Sequence, residues 1–284
     1  MMMAADILDQ IVTQKLQEVT AARQLRPEAS LREAITPVQE KRSFYDRLSI
    51  RHPRRVNIIA EIKRASPSKG PIRPDLDPAW YAREYERGGA AALSVLTDRH
   101  FFKGSPQDLK TARRETSLPV LRKDFIVSAY QIFETAVIGA DAVLLIAAIL
   151  AEPQLKDYLA LCRELNLDAL VEIHAENEYQ QATRAGASLI GINNRNLKTF
   201  HTDISTSITL APMLAVNQVA VAESGIRSPA DIDAVRRAGI GNFLIGESLM
   251  RAESPRRLLQ SLISCHQSDK PENRTSRKIS DGTR

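Results

Sequence analysis

Residues 57–70 read N-I-I-A-E-I-K-R-A-S-P-S-K-G, an apolar run that ends in charge and then breaks into a loop. On an extended chain Ile59, Glu61 and Lys63 share one face, because side chains alternate with a period of two. The Ser-Pro-Ser-Lys-Gly that follows is turn chemistry. A strand opening a dinucleotide-binding sheet would run here into G-x-G-x-x-G. Lys63-Arg-Ala-Ser-Pro-Ser-Lys-Gly70 stands there instead. The open, doubly wound alternative therefore loses its first requirement.

Seven further short apolar runs follow: 92–97, 119–125, 142–147, 169–174, 189–194, 219–224 and 242–247. Each leads into a longer amphipathic segment. The helices are expected at Pro78–Arg87, Pro106–Glu115, Ala129–Ile138, Pro153–Leu165, Glu176–Ala185, near Ile204–Leu210, Pro229–Ala238 and Pro255–Ile263. Asp77-Pro78, Ser105-Pro106 and Ser228-Pro229 each set a capping side chain before a proline at the first helical position. Glycines at 88–89, 139, 186 and 239 close helices before the next strand. Eight β–α units in succession predict an α/β chain with a parallel sheet, and the number eight predicts a closed (β/α)8 TIM barrel. Before it, residues 5–24 carry apolar residues at helical spacing, and Pro53 separates this part from the first strand. The expected organisation is an N-terminal helical extension over 1–50, a barrel over 51–264 and a disordered polar tail over 265–284. Deleting 268–284 is expected to leave activity unchanged, which an assay of the truncated protein checks.

The bulk properties narrow the class. The chain has 284 residues, 43% hydrophobic and 26% charged, as for a globular protein with a sizeable core. No apolar run approaches the ~20 residues that span a bilayer. The N-terminus lacks the pattern of a secretion signal, and Cys162 and Cys265 make no disulfide framework, so a reducing cytoplasm is expected. The five histidines show no metal-ligand spacing, so neither metal nor cofactor is expected. The net charge of +5 is spread among interleaved acids, which argues against nucleic acid as partner.

Barrel active sites gather at the C-terminal strand ends. Glu61, Lys63, Lys123, Glu172, Asn193 and Glu223 all fall near those ends, on five strands. If their faces point inward, the six converge on one mouth. Ion pairs that merely plug the barrel are a weaker explanation, since desolvating so many charges is costly without a ligand. Glu223-Ser224-Gly225 and Gly246-Glu247-Ser248 place glycines after the last two strands, where barrels bind phosphate through backbone N–H groups.

The segments E-I-K-R-A-S-P-S-K-G (61–70), L-R-K-D-F (121–125), V-E-I-H (171–174), G-I-N-N-R-N-L (191–197), A-E-S-G-I (222–226) and L-I-G-E-S-L-M (244–250) resemble the indole-3-glycerol phosphate synthase family over about residues 5–260. The resemblance implies ring closure of 1-(2-carboxyphenylamino)-1-deoxyribulose 5-phosphate, with loss of CO2 and water, in tryptophan biosynthesis. It implies Lys123 as the general acid, and Lys63 as partner of the anthranilate carboxylate. Glu172 would be the base or the stabiliser of a cationic intermediate, and Glu61 would hold the sugar hydroxyls and assist dehydration. Asn193, Arg195, Glu223 and Ser224 would orient the substrate, and Ser66, Gly225, Gly246 and Glu247 would cradle its phosphate. Lys123 is expected to be tuned toward neutral pH by nearby cations. Phe125 and Leu145 are expected to wall the aromatic ring. Glu247 stands where the family often has a small neutral residue, and its side chain is expected to turn outward, leaving the N–H to bind. The extension is expected to form a lid, with a plug in the barrel floor as the alternative. The partner is a small phosphorylated molecule, with no membrane and no nucleic acid. A monomer is expected, with association beside other enzymes of the pathway left open. A sugar-phosphate isomerase would share the glycine loops but has no need of this lysine–glutamate set. A non-catalytic binding barrel has no need of it either.

Overall fold

The computed structural model describes residues 7–35, 42–53, 55–197 and 199–264. The expected tail at 265–284, with Cys265, lies outside them. Eight parallel strands close a barrel: β1 Asn57–Ile62, β2 Ala92–Leu96, β3 Val120–Lys123, β4 Ala142–Ile146, β5 Asp168–Ile173, β6 Leu189–Asn193, β7 Val219–Glu223 and β8 Asn242–Ile245. Each strand pairs with its neighbours in sequence, and β8 returns to β1. Every expected strand is present, with ends within two residues of those read from the sequence.

The strands are buried on both faces, as helix-covered parallel strands are. Ile59, Leu121, Ala142, Leu144, Leu170, Leu189, Val221 and Leu244 point inward and fill the barrel. Ile58, Val120, Val143, Leu145, Val171, Ile190 and Phe243 point outward into the layer beneath the helices. Leu145 therefore cannot wall the site; Leu144 and Ile146 take the inward positions.

The covering helices start on the caps named above. Asp77 accepts from Ala79 N, Ser105 from Asp108 N and Ser228 from Asp231 N. Gly89, Gly139 and Gly186 end their helices in the left-handed conformation that glycine adopts without steric cost. No described helix is long and apolar enough to cross a membrane.

The N-terminal segment serves both ends of the barrel. Helix α1, Ile7–Leu25, brings Ile7, Leu8 and Ile11 to the mouth. Helix α2, Glu28–Ala34, runs down the outside, where Leu31 and Val19 pack on Tyr130 and Phe133. Helix α3, Phe44–Ser49, seals the floor: Phe44 and Leu48 are fully buried beneath the inward residues. Its first two N–H groups, those of Phe44 and Tyr45, donate to Asp168 Oδ2 at 2.8 and 2.9 Å. Lid and plug are not alternatives in this fold. Different helices of one segment occupy the two places.

Candidate active site

The inward faces place the charged strand ends around one cavity of about 820 Å3 at the C-terminal mouth. Lys123, at the end of β3, stands between two carboxylates. Its Nζ donates to Glu172 Oε2 on β5 at 2.9 Å and lies 3.1 Å from Glu223 Oε2 on β7. On β1, Lys63 Nζ donates to Glu61 Oε2 at 2.5 Å. Asn193, at the end of β6, lies near enough to Glu172 to favour its ionised form and accepts from Arg195 N at 3.0 Å.

The charges set each other. Burial alone would push the Lys123 ammonium down. The carboxylates of Glu172, Glu223 and Glu61 outweigh it and hold the lysine charged, above the ordinary range. The expected tuning toward neutral pH is therefore reversed: the neighbours are carboxylates, not cations. Glu172 is held down to about 2, because Lys123 and then His174 overcome the effect of burial. Glu223 goes the other way, up to about 7, driven first by burial and assisted by Glu172 and Glu61 against Lys123. One lysine thus keeps one of its two glutamates fully ionised near neutral pH.

The rim carries the other residues named from the sequence. Ser224 and Gly225 have φ of 63° and 78°, two successive left-handed residues after β7. They turn the chain sharply at the rim of the cavity, and successive backbone N–H groups in a turn can form a concavity that favours anions. Gly246 precedes the short helix Glu247–Arg251. Glu247 is not turned away from the site. Its carboxylate reaches Arg251 Nε at 3.2 Å and stands 4.0 Å from Arg195 Nη2, so its charge is offset at the rim. Arg195 also donates to Ser68 Oγ at 3.2 Å, tying the loop after β6 to the loop after β1. Ser66 is buried on the cavity wall within a two-residue ribbon, Ala65–Ser66 paired with Gly70–Pro71.

The apolar wall is made by Phe125 and Phe102, ring centroids 6.0 Å apart, with Leu144, Ile146, Leu8 and Ile11. Two features escaped the sequence reading. Phe102 comes from the loop after β2, where no periodicity points inward. Lys15 of α1 is buried and reaches Asp98 Oδ2 at 2.9 Å and Asp124 Oδ1 at 3.1 Å, latching the helix to the mouth. Its signal was present, since Lys15 lies four residues after Ile11 and four before Val19, on the apolar stripe.

The chain matches the family model described as Indole-3-glycerol phosphate synthase over residues 8–262. A curated protein of that name from Desulfosudis oleivorans is 56% identical over 261 residues, which cover 92% of this chain and 99% of the relative. One from Syntrophobacter fumaroxidans is 51% identical with the same coverage, and one from Laribacter hongkongensis is 46% identical, covering 92% and 100%. Among solved structures, thiamine phosphate pyrophosphorylase from Pyrococcus furiosus superposes with a TM-score of 0.54 at 16% identity, covering 74% of this chain and 94% of the other. That likeness concerns the fold alone.

Proposed function

Because the chain belongs to the indole-3-glycerol phosphate synthase family, we propose that the lysine–glutamate cluster at its barrel mouth carries the ring closure. The enzyme is a carbon–carbon lyase of tryptophan biosynthesis. It converts 1-(2-carboxyphenylamino)-1-deoxyribulose 5-phosphate to indole-3-glycerol phosphate, CO2 and water.

The observation that carries the assignment of residues is Lys123 between Glu172 and Glu223 at the base of the cavity. As the aryl carbon forms its bond to the substrate carbonyl carbon, the oxygen gains negative charge and needs a proton. Lys123 is charged and holds that proton. Once it is given up, Glu172 loses the cation that kept its basicity low, so the acid's discharge activates the base. CO2 then leaves, and its bonding pair restores the aromatic ring. Protonation of the new hydroxyl, by Lys63 paired with Glu61, releases water, while Glu172 takes the proton that must leave to form the indole double bond. Two protons enter and one leaves, as loss of CO2 from a carboxylate requires. Fixed carboxylates also stabilise the cationic intermediate between these steps.

Asn193, Arg195, Glu223 and Ser224 orient the substrate, Lys63 faces its carboxylate, and Phe125 with Phe102 walls its ring. Backbone N–H groups at Gly225 and Gly246, with Ser66 and the N–H of Glu247, receive the phosphate. The left-handed pair at Ser224 and Gly225 supports this placement. So does the offset of the Glu247 charge, which removes the repulsion that a bare carboxylate would exert. Residues 1–50 act as an extension of the barrel domain, which spans 51–264. One chain supplies the whole cavity, including its own N-terminal helix, and this favours a working monomer. The sparse cysteines favour the cytoplasm.

The test is direct. Purified protein is mixed with the carboxyphenylamino-deoxyribulose phosphate, without metal or nucleotide, and indole absorbance and fluorescence are followed. Product is expected. Bound substrate without product would overturn the proposed chemistry and leave a phosphate-binding barrel.

A further inference from the structure

Glu223 on β7 lies beside Asn193 of β6, and two residues earlier Val221 lies beside Gly191. Glu223 is 1% exposed, and its Oε1 has no hydrogen-bond partner among the described residues. That oxygen rests against Gly191. A Cβ on Gly191 would stand 2.1 Å from Glu223 Oε1 and 3.3 Å from both the carboxyl carbon and Leu170 Cδ1. Gly191 is not among the positive-φ glycines, so an L side chain is excluded there by space and not by backbone conformation. The same arrangement recurs between the next two strands of the barrel. A Cβ on Gly246 would stand 2.2 Å from Glu61 Oε2, the oxygen that accepts from Lys63. In both cases the carboxylate leans over a glycine in or just after the adjacent strand and meets a lysine.

We propose that Gly191 is a positioning residue for the ring closure: its missing side chain is a slot that receives the Glu223 carboxyl group and sets Oε2 against Lys123. The proposal rests on the assignment of Lys123 and Glu223 made above. Any Cβ at 191 drives the carboxyl group out of the slot. Leu170 closes one side, so the remaining room is the cavity that the substrate must enter. Lys123 is then left to Glu172 alone, and the acid and its second carboxylate fall out of register. Misplacement by about 1 Å at such a site can cost on the order of 100-fold in rate.

The test compares Gly191→Ala, Glu223→Asp and the double variant. Aspartate withdraws the carboxyl group by roughly one C–C bond, ~1.5 Å, and so escapes the new Cβ. Gly191→Ala is expected to lower kcat by about thirtyfold with KM nearly unchanged, yet to cost less than about threefold when added to Glu223→Asp. Equal losses in both backgrounds overturn the slot. If Gly191→Ala does not fold while the double variant does, the conflict lies with Glu223 and the proposal stands. If neither folds, the conflict lies elsewhere and the proposal falls. Carbon-13 titration of the Glu223 carboxyl group separates this from the reading it rests on. In Gly191→Ala its midpoint should move away from the wild-type value, whether or not Glu223 serves the reaction, because both its burial and its pairing with Lys123 change; an unmoved midpoint overturns the slot. Full turnover by Glu223→Gln would remove Glu223 from the reaction and leave the titration result to decide the slot.

Discussion

Lys123→Met abolishes turnover while substrate affinity stays within about tenfold, because a lost acid acts on the transition state and not on the bound ground state. Methionine keeps most of the lysine stem and removes the charge. Glu172 and Glu223 are then two buried carboxylates with no cation between them. Breaking a buried ion pair from one side costs about 3–5 kcal/mol. The cost should depend on pH. In the intact protein Glu172 is held low and Glu223 is already up to about 7. Without Lys123 both carboxyl groups titrate above their unfolded value. Groups raised in this way contribute stability that is fully present below the unfolded pKa and lost as pH rises through the folded one. The gap to the wild type should therefore widen from pH 5 to pH 8. Urea unfolding at three pH values, beside the indole assay, measures both effects. Near-normal turnover would remove Lys123 from its role, and a gap that ignores pH would mean the two carboxylates do not depend on its charge.

Lys15→Met is expected to loosen the mouth. Lys15 is held charged, above the ordinary lysine range: burial acts against it, and Asp124 and Asp98 outweigh burial. Asp98 Oδ1 also accepts from the N–H groups of Phe101 and Phe102, and Asp124 Oδ2 accepts from Thr97 Oγ1, so the latch holds the loop that carries the apolar wall. Asp124 keeps Arg122 as a cation. Asp98 has no other ion pair among the described residues, and leaving it buried costs about 3 kcal/mol or more. Lys15→Met/Asp98→Asn should recover much of the loss, because asparagine keeps the capping oxygen and drops the charge. Asp124 is held below the usual carboxylate range, with Arg122 and Lys15 overcoming burial. A lowered carboxylate gives stability above its unfolded pKa that is lost as pH falls. The gap between Lys15→Met and wild type should therefore shrink on acidification, the same sign as for Lys123→Met. KM should rise more than kcat falls, since α1 lines the cavity without touching the reacting atoms. A variant within about 0.5 kcal/mol of wild type at neutral pH, the spread of ordinary surface changes, would show that the latch carries no weight.

The contrast between β1 and β4 explains how much of the site was legible. In β1 the charges at 61 and 63 mark the inward face, and Ile59 follows by alternation. Glu172, Asn193 and Glu223 fix the phase of β5, β6 and β7 in the same way. β4 reads A-V-L-L-I, with no polar residue to mark a face, and a strand buried on both sides carries no phase of its own. The sequence of β4 therefore offers Leu145 for the inward face as readily as Leu144, and only the closed barrel shows Leu144 there. The charge state of Lys123 failed for a different reason. Spacing along the chain says which strand ends share the mouth, but not that the groups within reach of this lysine are all carboxylates. Gly191 looks in sequence like an ordinary strand glycine, because the carboxylate that needs its space arrives only on the next strand, at Glu223.

The N-terminal segment, which covers the mouth and seals the floor, imposes an order on synthesis. It leaves the ribosome ahead of the barrel residues on which it docks. The N–H groups of Phe44 and Tyr45 wait for Asp168, 124 and 123 residues away, and Lys15 waits for Asp98 and Asp124. At translation rates of about 5–20 residues per second, the floor helix stays unpartnered for roughly 6–25 s. Through that interval Leu8, Ile11, Val19, Phe44 and Leu48 have no barrel to cover them, so the nascent chain, and not the finished enzyme, is the form most exposed to aggregation and to chaperones.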